Sequence, residues 1–366
     1  MSAYPPPAKC SFASELVRTA TSLAAAGKGI LAGDESTGTI GKRFAQISLE
    51  NTLENRRAYR DMLMTTPGLG EYLSGWILFE ETLLDVTRDG KGTTADLLTA
   101  QGIVPGVKVD KGVVPLPGTS GETLTQGLDD LGARCDAFYE AGARFAKWRA
   151  VLHVDEPSAA PSELAIRSNM DMLARYAAIC QVHGLVPLVE PEVLMGGRHS
   201  LETAMVVTER VLATLFKTLA DHHVFLEGAL LKPNMCRPGE DAPAELHASP
   251  AAIALATYTC MRRTVPAAMP GIFLLSGGMS EEEATVVLSE MNKLACPKPW
   301  SLSFSYGRAL QTTSLRTWAG KEDNEHAAKK ELLVRAKANA LAARGKYNGE
   351  ASRGAAGAPD GFVPEF

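Results

Sequence analysis

The sequence lacks the closely spaced ligands on which protein metal sites usually depend. Its six cysteines are scattered singly without a CxxC pair, and its seven histidines include no HxH or HxxxH pair near the end of an apolar run. Zinc sites commonly take their ligands from such spacings. We therefore expect no metal site, and we expect the cysteines to be reduced thiols, as in cytosolic proteins.

Excess basic charge, long apolar runs and targeting signals are also missing. The net charge of −5 gives no reason to expect binding to nucleic acid or to an anionic membrane. The longest apolar stretches are shorter than the roughly 20 residues of a membrane-spanning helix. Neither end carries a secretion, peroxisomal or retention signal. These absences predict a soluble cytoplasmic protein without membrane insertion.

What the sequence does contain is a repeated alternation of short apolar runs and amphipathic segments. The segments at 162–183, 200–222, 249–265 and 280–294 each begin with a serine that can cap a helix. Alternating strands and helices predict a parallel sheet, and eight such units match a closed (β/α)8 TIM barrel. An open doubly wound sheet is the alternative. The apolar runs cover residues 29–34, 76–80, 103–109, 143–149, 185–190, 226–232, 271–276 and 302–306.

We predict one catalytic barrel domain, residues 1–343, followed by a mobile C-terminal tail, residues 344–366. The tail is rich in glycine, alanine and serine, includes Pro359 and Pro364, and shows no apolar periodicity. Such a segment buries too little apolar surface to hold the chain in one conformation.

Charged or polar residues stand at the end of nearly every apolar run. In a TIM barrel the carboxyl ends of all strands meet at one mouth, where active sites lie. Residues that are far apart in the sequence would therefore converge there, which isolated surface charges do not explain. These residues are Asp34, Glu80, Lys108, Lys147, Arg149, Glu190, Lys232, Ser276 and Arg308.

Lys232 is the most informative of these residues. It ends the apolar run from Val224 and precedes Pro233, a pattern that predicts a short buried strand. Burying an ammonium group costs several kcal/mol, so a buried lysine needs a reason. One reason is chemistry, since a lysine with a lowered pKa can attack a carbonyl and form a Schiff base. The alternative is that Lys232 lies at the strand end and pairs with a carboxylate.

The other charged residues also have structural alternatives. Asp34 could cap the helix that follows it. Glu190 and Glu192, in a turn at a strand end, either point into solvent or share a site for acid and base catalysis. Lys147 and Arg149 share one face of a strand and could form salt bridges to neighbouring helices.

Two segments predict a phosphate site. The turn Ser276–Gly278 follows an apolar run and precedes a capped helix, so its backbone N–H groups and the helix N-terminus can face an anion. Arg308, after the next run, can bind the same phosphate through its guanidinium group. Lys108 and Lys111 bracket Val109 and Asp110 and could form only a charged rim.

Seven segments form a set of specific motifs between Gly27 and Tyr347. They are residues 27–39, 106–112, 142–149, 189–192, 224–234, 276–278 and 304–310. Together these motifs resemble class I fructose-1,6-bisphosphate aldolase of the eukaryotic glycolytic type. The runner-up among enzymes is another Schiff-base barrel, such as a transaldolase or an aldolase for a different sugar phosphate.

The resemblance implies a role for each residue of the predicted site. Lys232 would form the Schiff base, and Glu190 would be the acid and base that dehydrates the carbinolamine. Asp34 would assist carbon–carbon cleavage at the C4 hydroxyl, and Lys147 and Glu192 would complete the charged centre. The implied substrate-binding residues are Ser276, Gly277, Gly278 and Arg308 at the 1-phosphate, Ser36, Thr39, Lys42, Arg43 and Lys108 towards the 6-phosphate, and Arg149 beside the charged centre.

The resemblance also implies a metal-independent lyase without a cofactor, acting in glycolysis and gluconeogenesis as a homotetramer. Some members of the family bind actin or adhesin tails, which makes a scaffold function the alternative from another class. Preference among fructose 1,6-bisphosphate, fructose 1-phosphate and sedoheptulose 1,7-bisphosphate stays open. The family usually ends in tyrosine, whereas this sequence ends in Phe366. Because phenylalanine has no hydroxyl group, we expect proton return to the enamine to be slow.

Overall fold

Short parallel strands close into a barrel in the computed structural model, which describes residues 11–88, 90, 92–155 and 159–349. The barrel confirms the predicted TIM fold and excludes an open sheet. The strands are β1 (Gly29–Gly33), β2 (Leu73–Leu78), β3 (Val104–Lys108), β4 (Val113–Pro115), β5 (Thr123–Thr125), β6 (Phe145–Leu152), β7 (Val186–Val193), β8 (Leu230–Leu231), β9 (Gly271–Leu274) and β10 (Ser301–Tyr306).

Eight of these strands make the barrel, in the order β1, β2, β3, β6, β7, β8, β9 and β10, and β10 pairs back with β1. All neighbouring pairs in the barrel are parallel, as expected when a helix connects one strand to the next. The remaining two strands, β4 and β5, form a separate antiparallel pair after β3.

The helices lie outside the barrel, except for the first. They are α1 (Ala13–Leu23), α2 (Thr37–Ala45), α3 (Leu53–Met64), α4 (Glu80–Leu83), α5 (Thr94–Ala100), α6 (Leu131–Glu140), α7 (Glu163–Val182), α8 (Leu201–Asp221), α9 (Pro250–Thr264), α10 (Glu281–Lys293), α11 (Arg308–Trp318) and α12 (Glu325–Ala342), with 3-10 turns at Leu69–Glu71, Leu226–Gly228, Ala244–Leu246 and Glu322–Asn324. Within the described part of the chain, none of the helices combines the length and apolar character needed to span a bilayer.

The four serine-capped helices begin where the sequence predicts them. Ser162, Ser200, Ser249 and Ser280 each accept a hydrogen bond from the backbone N–H three residues later. Each bond satisfies one of the helix-terminal N–H groups that have no partner inside the helix, so it fixes the first turn.

Helix α1 closes the amino-terminal end of the barrel. Its Leu16, Ala20 and Leu23 belong to the same buried cluster as the inward-facing Phe145 and Phe273, and the helix contacts β2, β7 and β9. A second, larger cluster fills the space between the strands and the outer helices. The polar residues are therefore left to the opposite, carboxyl-terminal mouth.

Several strand boundaries differ from the predicted ones, and three of these differences concern candidate site residues. Glu80 does not end a strand; it begins α4 and is exposed. Glu190 and Glu192 lie inside β7 rather than in a turn after it. In the apolar run before Lys232, Leu226–Gly228 is a 3-10 turn, and only Leu230–Leu231 has strand pairing. Strand pairing requires a neighbour at the right distance, which an apolar run by itself does not specify.

The described part of the predicted tail, residues 344–349, includes Tyr347. Its ring is buried, and its hydroxyl donates to the Glu282 carboxylate at 2.7–2.8 Å. The rest of the predicted tail, including Phe366, lies outside the described residues, so tail mobility stays a prediction.

Candidate active site

Side-chain alternation along β6 delivers charged residues to the mouth of the barrel. Phe145 faces the interior, whereas Ala146 and Trp148 pack against the outer helices. Because successive side chains alternate between the faces of a strand, Lys147 and Arg149 follow Phe145 into the interior. The inward-facing side chains of β6 are thus apolar at the start of the strand and charged at its end.

The next two strands repeat this arrangement. In β7 Leu188 faces the interior, and Glu190 and Glu192 are the next two residues on the same face of the strand. In β8 Leu230 is the interior residue, and Lys232 follows it two positions later. The carboxyl ends of three adjacent strands therefore carry both acids and bases into one space.

Four of these groups form a continuous chain of ion pairs. Lys147 Nζ lies 2.7 Å from Asp34 Oδ2 and 3.1 Å from Glu190 Oε2. Lys232 Nζ lies 2.9 Å from Glu190 Oε1. Lys147, Glu190 and Lys232 are each no more than 4% exposed. Two ammonium groups and two carboxylates thus satisfy one another away from bulk water.

The pairing fixes the charge state of Asp34 and Lys147. Burial by itself would raise the pKa of Asp34, but the ammonium groups of Lys147, Lys232 and Lys108 lower it to about 2. Burial would likewise lower the pKa of Lys147, yet the carboxylates of Asp34 and Glu190 outweigh it and raise that pKa above its ordinary value. At neutral pH Asp34 is therefore a carboxylate and Lys147 a cation.

One oxygen of Glu190 has an ion-pair contact but no aligned hydrogen bond. Lys147 Nζ approaches Oε2 at 3.1 Å, but no group in the described part of the chain makes a properly aligned hydrogen bond to this buried atom. A buried carboxylate oxygen without an aligned donor is costly unless function uses it. Oε2 is therefore suited to receive a proton from a bound substrate.

Arg149 and Glu192 form a second ion pair at the mouth. Arg149 Nε donates to Glu192 Oε2, and about a third of the arginine side chain is exposed. Burial would raise the pKa of Glu192, but the cations Arg149, Lys232 and Arg308 lower it. Next to this pair, Lys108 Nζ lies 2.7 Å from Asp110 Oδ1.

The predicted phosphate turn has the backbone shape of an anion site. Gly277 and Gly278 follow β9 with φ of +51° and +86°, values that non-glycine residues rarely adopt. Ser276 is buried, and helix α10 begins just after the turn with Ser280 as its N-cap. Arg308 is the first residue of α11 and comes just after the carboxyl end of β10, so it lies at the same mouth.

Hydroxyl-bearing and cationic side chains also lie on and beside helix α2. Ser36 is the N-cap of this helix, and its Oγ lies 3.1 Å from Thr39 Oγ1. Arg43 Nη1 donates to the buried carboxylate of Glu35. Lys42, one residue earlier, is exposed. The two predicted phosphate segments thus follow β1 and β9 at the carboxyl-terminal mouth, where the ion-pair chain also lies.

The structure decides between the alternatives for the charged residues. Asp34 does not cap α2, because Ser36 does; Asp34 instead pairs with Lys147. The partners of Lys147 and Arg149 lie at strand ends and in β7, not on neighbouring helices. Lys232 does pair with a carboxylate, but it does so inside the barrel.

Sequence reasoning gave no function to several residues that hold the site together. Asp110 accepts hydrogen bonds from the backbone N–H groups of Arg149 and Gly112 besides its pair with Lys108. Glu35 follows Asp34 directly, so its position in a motif could have drawn attention to it. Gln311 lies within a helix and has no signal in the sequence.

The described residues contain no cluster of three or more histidine, cysteine, aspartate or glutamate side chains arranged to hold a metal ion. The described cysteines are free thiols, four of them buried.

Comparisons with known proteins all lead to one enzyme family. The family model described as fructose-bisphosphate aldolase class-I matches residues 15–364. Cytosolic fructose-bisphosphate aldolase 5 of Arabidopsis thaliana is 58% identical over 341 residues, which cover 93% of this chain and 94% of the relative. The fructose-bisphosphate aldolase of Dictyostelium discoideum is 57% identical over 94% of this chain and 96% of its own.

Solved structures support the same assignment. The fructose-bisphosphate aldolase of Plasmodium falciparum, in complex with TRAP and a small-molecule inhibitor, superposes with a TM-score of 0.91 at 53% identity. The match covers 94% of this chain and 98% of that one. The matched length and identity, together with the buried lysine and its acids at the barrel mouth, place this chain in the class I fructose-bisphosphate aldolase family.

Proposed function

We propose that Lys232 is the residue through which this aldehyde-lyase forms its Schiff base. The reaction is the reversible cleavage of fructose 1,6-bisphosphate to dihydroxyacetone phosphate and glyceraldehyde 3-phosphate, as in glycolysis and gluconeogenesis. The observation that carries the assignment is the 2.9 Å contact of the buried Lys232 with Glu190 at the carboxyl-terminal mouth of the barrel.

Glu190 is the proton carrier of the imine-forming steps. The amine of Lys232 attacks the C2 carbonyl, and the carbinolamine then loses its hydroxyl group as water. Glu190 Oε1 lies within hydrogen-bond reach of the reacting nitrogen, and Oε2 contacts Lys147 without an aligned hydrogen bond, so the carboxylate can take the proton and return it. No other carboxylate among the described residues contacts Lys232 Nζ this closely.

Asp34 and Lys147 serve the cleavage of the C3–C4 bond. Asp34 is ionised at neutral pH, so it can accept the proton of the C4 hydroxyl while the bonding electrons move into the protonated imine. Lys147 keeps both Asp34 and Glu190 in place and supplies positive charge next to the reacting carbons. Glu192 and Arg149 complete this charged centre.

The two phosphates are held on opposite sides of the charged centre. Ser276, Gly277, Gly278 and Arg308 bind the 1-phosphate through backbone N–H groups and a guanidinium. The 6-phosphate lies towards α2 and β3, and its binding residues are Ser36, Thr39, Lys42, Arg43 and Lys108. An enzyme with two such sites fits a bisphosphate better than a substrate with one phosphate.

Assembly and partners follow from the relatives and stay predictions for this chain. We expect a homotetramer in the cytosol, the compartment given in the names of the Arabidopsis relatives. The Plasmodium structure contains TRAP, and binding of an adhesin tail or of actin is a corresponding prediction here.

Borohydride reduction in the presence of dihydroxyacetone phosphate tests the Lys232 assignment. The reduced adduct is expected on the peptide that contains Lys232, and it should be absent from Lys232→Ala and Lys232→Arg, which offer no suitable amine. Lys108→Ala is the matched control, because it removes a lysine of the same mouth and should still be trapped. An adduct on Lys147 or Lys108 in the unmodified protein would refute the assignment.

A further inference from the structure

A buried hydrogen-bond network connects helix α11 to the end of β1. Its centre is Gln311, which is 1% exposed. Gln311 Nε2 donates to the Ala32 carbonyl at 2.8 Å and to Glu35 Oε1 at 3.2 Å. The same Glu35 oxygen accepts from Arg43. Gln311 thus reaches, through one carboxylate, an arginine of the 6-phosphate side.

The orientation of the Gln311 amide is determined by its surroundings. The buried Tyr59 hydroxyl donates to Gln311 Oε1 at 3.1 Å. With its oxygen held there, the amide must turn its NH2 group towards Ala32 and Glu35. Arg60 Nη2 adds a hydrogen bond of 2.9 Å to the Glu35 carbonyl. Glu35 is therefore fixed at both its backbone and its side chain.

Glu35 in turn restricts Arg43. The carboxylate is 6% exposed and presents the same oxygen to Arg43 and Gln311. A buried carboxylate that also accepts from a donor other than the arginine has little freedom to follow a mobile arginine. Gln311 also lies three residues after Arg308 on α11, so one helix carries the 1-phosphate arginine and anchors the 6-phosphate arginine.

We propose that Gln311 is a positioning residue that sets the preference for a bisphosphate over a 1-phosphate. It holds Glu35, Glu35 holds Arg43, and Arg43 faces the 6-phosphate; Gln311 itself touches no substrate. The inference rests on the proposed placement of the 6-phosphate beside Arg43. Without the amide, the Glu35 carboxylate loses the donor that is independent of Arg43, and Arg43 loses its defined position.

The test compares kcat/KM for fructose 1,6-bisphosphate with kcat/KM for fructose 1-phosphate in Gln311→Met, which keeps the length of the side chain and removes its hydrogen bonds. The ratio of the two values is expected to fall about fivefold to tenfold, through KM for the bisphosphate. Tyr59→Phe removes the donor to Gln311 Oε1, so the amide can rotate. It should also lower the ratio, but by a smaller factor than Gln311→Met does. This second variant keeps the proposal testable if Gln311→Met folds poorly.

Gln181→Met is the matched control for a purely structural effect. Gln181 is also a buried glutamine, and it bonds the backbone of Phe225 and Gly228 at the other end of the barrel. Its loss should lower the melting temperature and leave the substrate ratio unchanged. A drop in the ratio that Gln181→Met matches would overturn the proposal, since it would reflect general loosening.

A double-mutant cycle with Arg43→Ala separates this inference from the proposed function. If Gln311 acts through Arg43, then Gln311→Met should not lower the ratio further in the Arg43→Ala background. A full additional drop there, or an unchanged ratio in Gln311→Met alone, would overturn the inference while Schiff-base trapping at Lys232 still stood. An unchanged ratio in Arg43→Ala would refute the proposed position of the 6-phosphate beside Arg43, and it would refute this inference as well.

Discussion

At the scale of single residues, Lys147 determines the charge of its neighbour Asp34. The pKa of Asp34 is about 2 because the nearby ammonium groups outweigh burial, and Lys147 has the largest lowering effect. A carboxylate with a lowered pKa stays ionised throughout the mildly acidic range. The charge of Asp34, a proposed catalytic residue, thus depends on a residue from a different strand.

Lys147→Met is expected to move the acid limb of the kcat/KM profile to higher pH. Removing the cation leaves burial, which raises the pKa of Asp34, so the ionised fraction falls as the solution becomes mildly acidic. The maximal rate should also drop by about 100-fold or more, because a charge aimed at the reacting atoms is lost. The measurement is kcat/KM for fructose 1,6-bisphosphate across the acidic and neutral range.

Lys147→Arg is the control for this change, since it keeps the positive charge with a different shape. Its acid limb should stay close to that of the unmodified enzyme even if its rate is lower. An acid limb in Lys147→Met that coincides with the original would show that Asp34 does not depend on Lys147.

At the scale of elements, the turn between β9 and α10 combines two backbone requirements. Gly277 and Gly278 both have positive φ, and a Cβ on Gly277 would lie 2.4 Å from Met195 Cε. The end of the methionine side chain can move, but the backbone strain would remain. The shape of the phosphate turn therefore depends on glycine more than on the space around it.

Gly277→Ala is expected to raise KM for both fructose phosphates by about tenfold, because the N–H groups of the turn no longer point at the 1-phosphate. The free energy of unfolding should fall by about 1–2 kcal/mol from the strained φ. Steady-state kinetics and urea unfolding measure the two effects.

Gly196→Ala serves as the matched control in the loop beside Met195. A Cβ there meets no atom within 4 Å, and Gly196 is not among the residues with positive φ. Both KM and stability should stay close to their original values. If Gly277→Ala behaved like Gly196→Ala, the turn would not be the phosphate site.

At the scale of the whole molecule, several outer helices present large apolar side chains to solvent. Leu164 and Val182 of α7, Val206 of α8 and Leu255 of α9 are all exposed. Single exposed apolar side chains also occur on monomers, so the homotetramer is a prediction that rests on the family resemblance.

Light scattering at micromolar concentration is expected to give the mass of four 39.0 kDa subunits. The mass should persist in high salt, because burial of apolar surface is not screened by ions. A mass near one subunit would refute the tetramer, and a mass near two subunits would restrict assembly to a single kind of interface.

The sequence by itself determined the features that depend on neighbouring residues in the chain. Alternating apolar runs and amphipathic segments predicted the barrel, and Ser162, Ser200, Ser249 and Ser280 each cap a helix as predicted. The sequence also predicted the Ser276–Gly278 turn, because glycines between an apolar strand and a capped helix indicate a tight turn. These signals act over a few residues, so no knowledge of the fold is needed.

Only the tertiary structure decided which charged groups meet and which supporting residues matter. Asp34 could cap a helix or pair with a cation, and the choice depended on the position of Lys147, more than a hundred residues away. The run before Lys232 looked like a full strand, but the register with β7 and β9 leaves only two paired residues. Gln311 had no signal at all. Barrel closure sets distances between residues remote in sequence, and a local pattern carries no information about those distances.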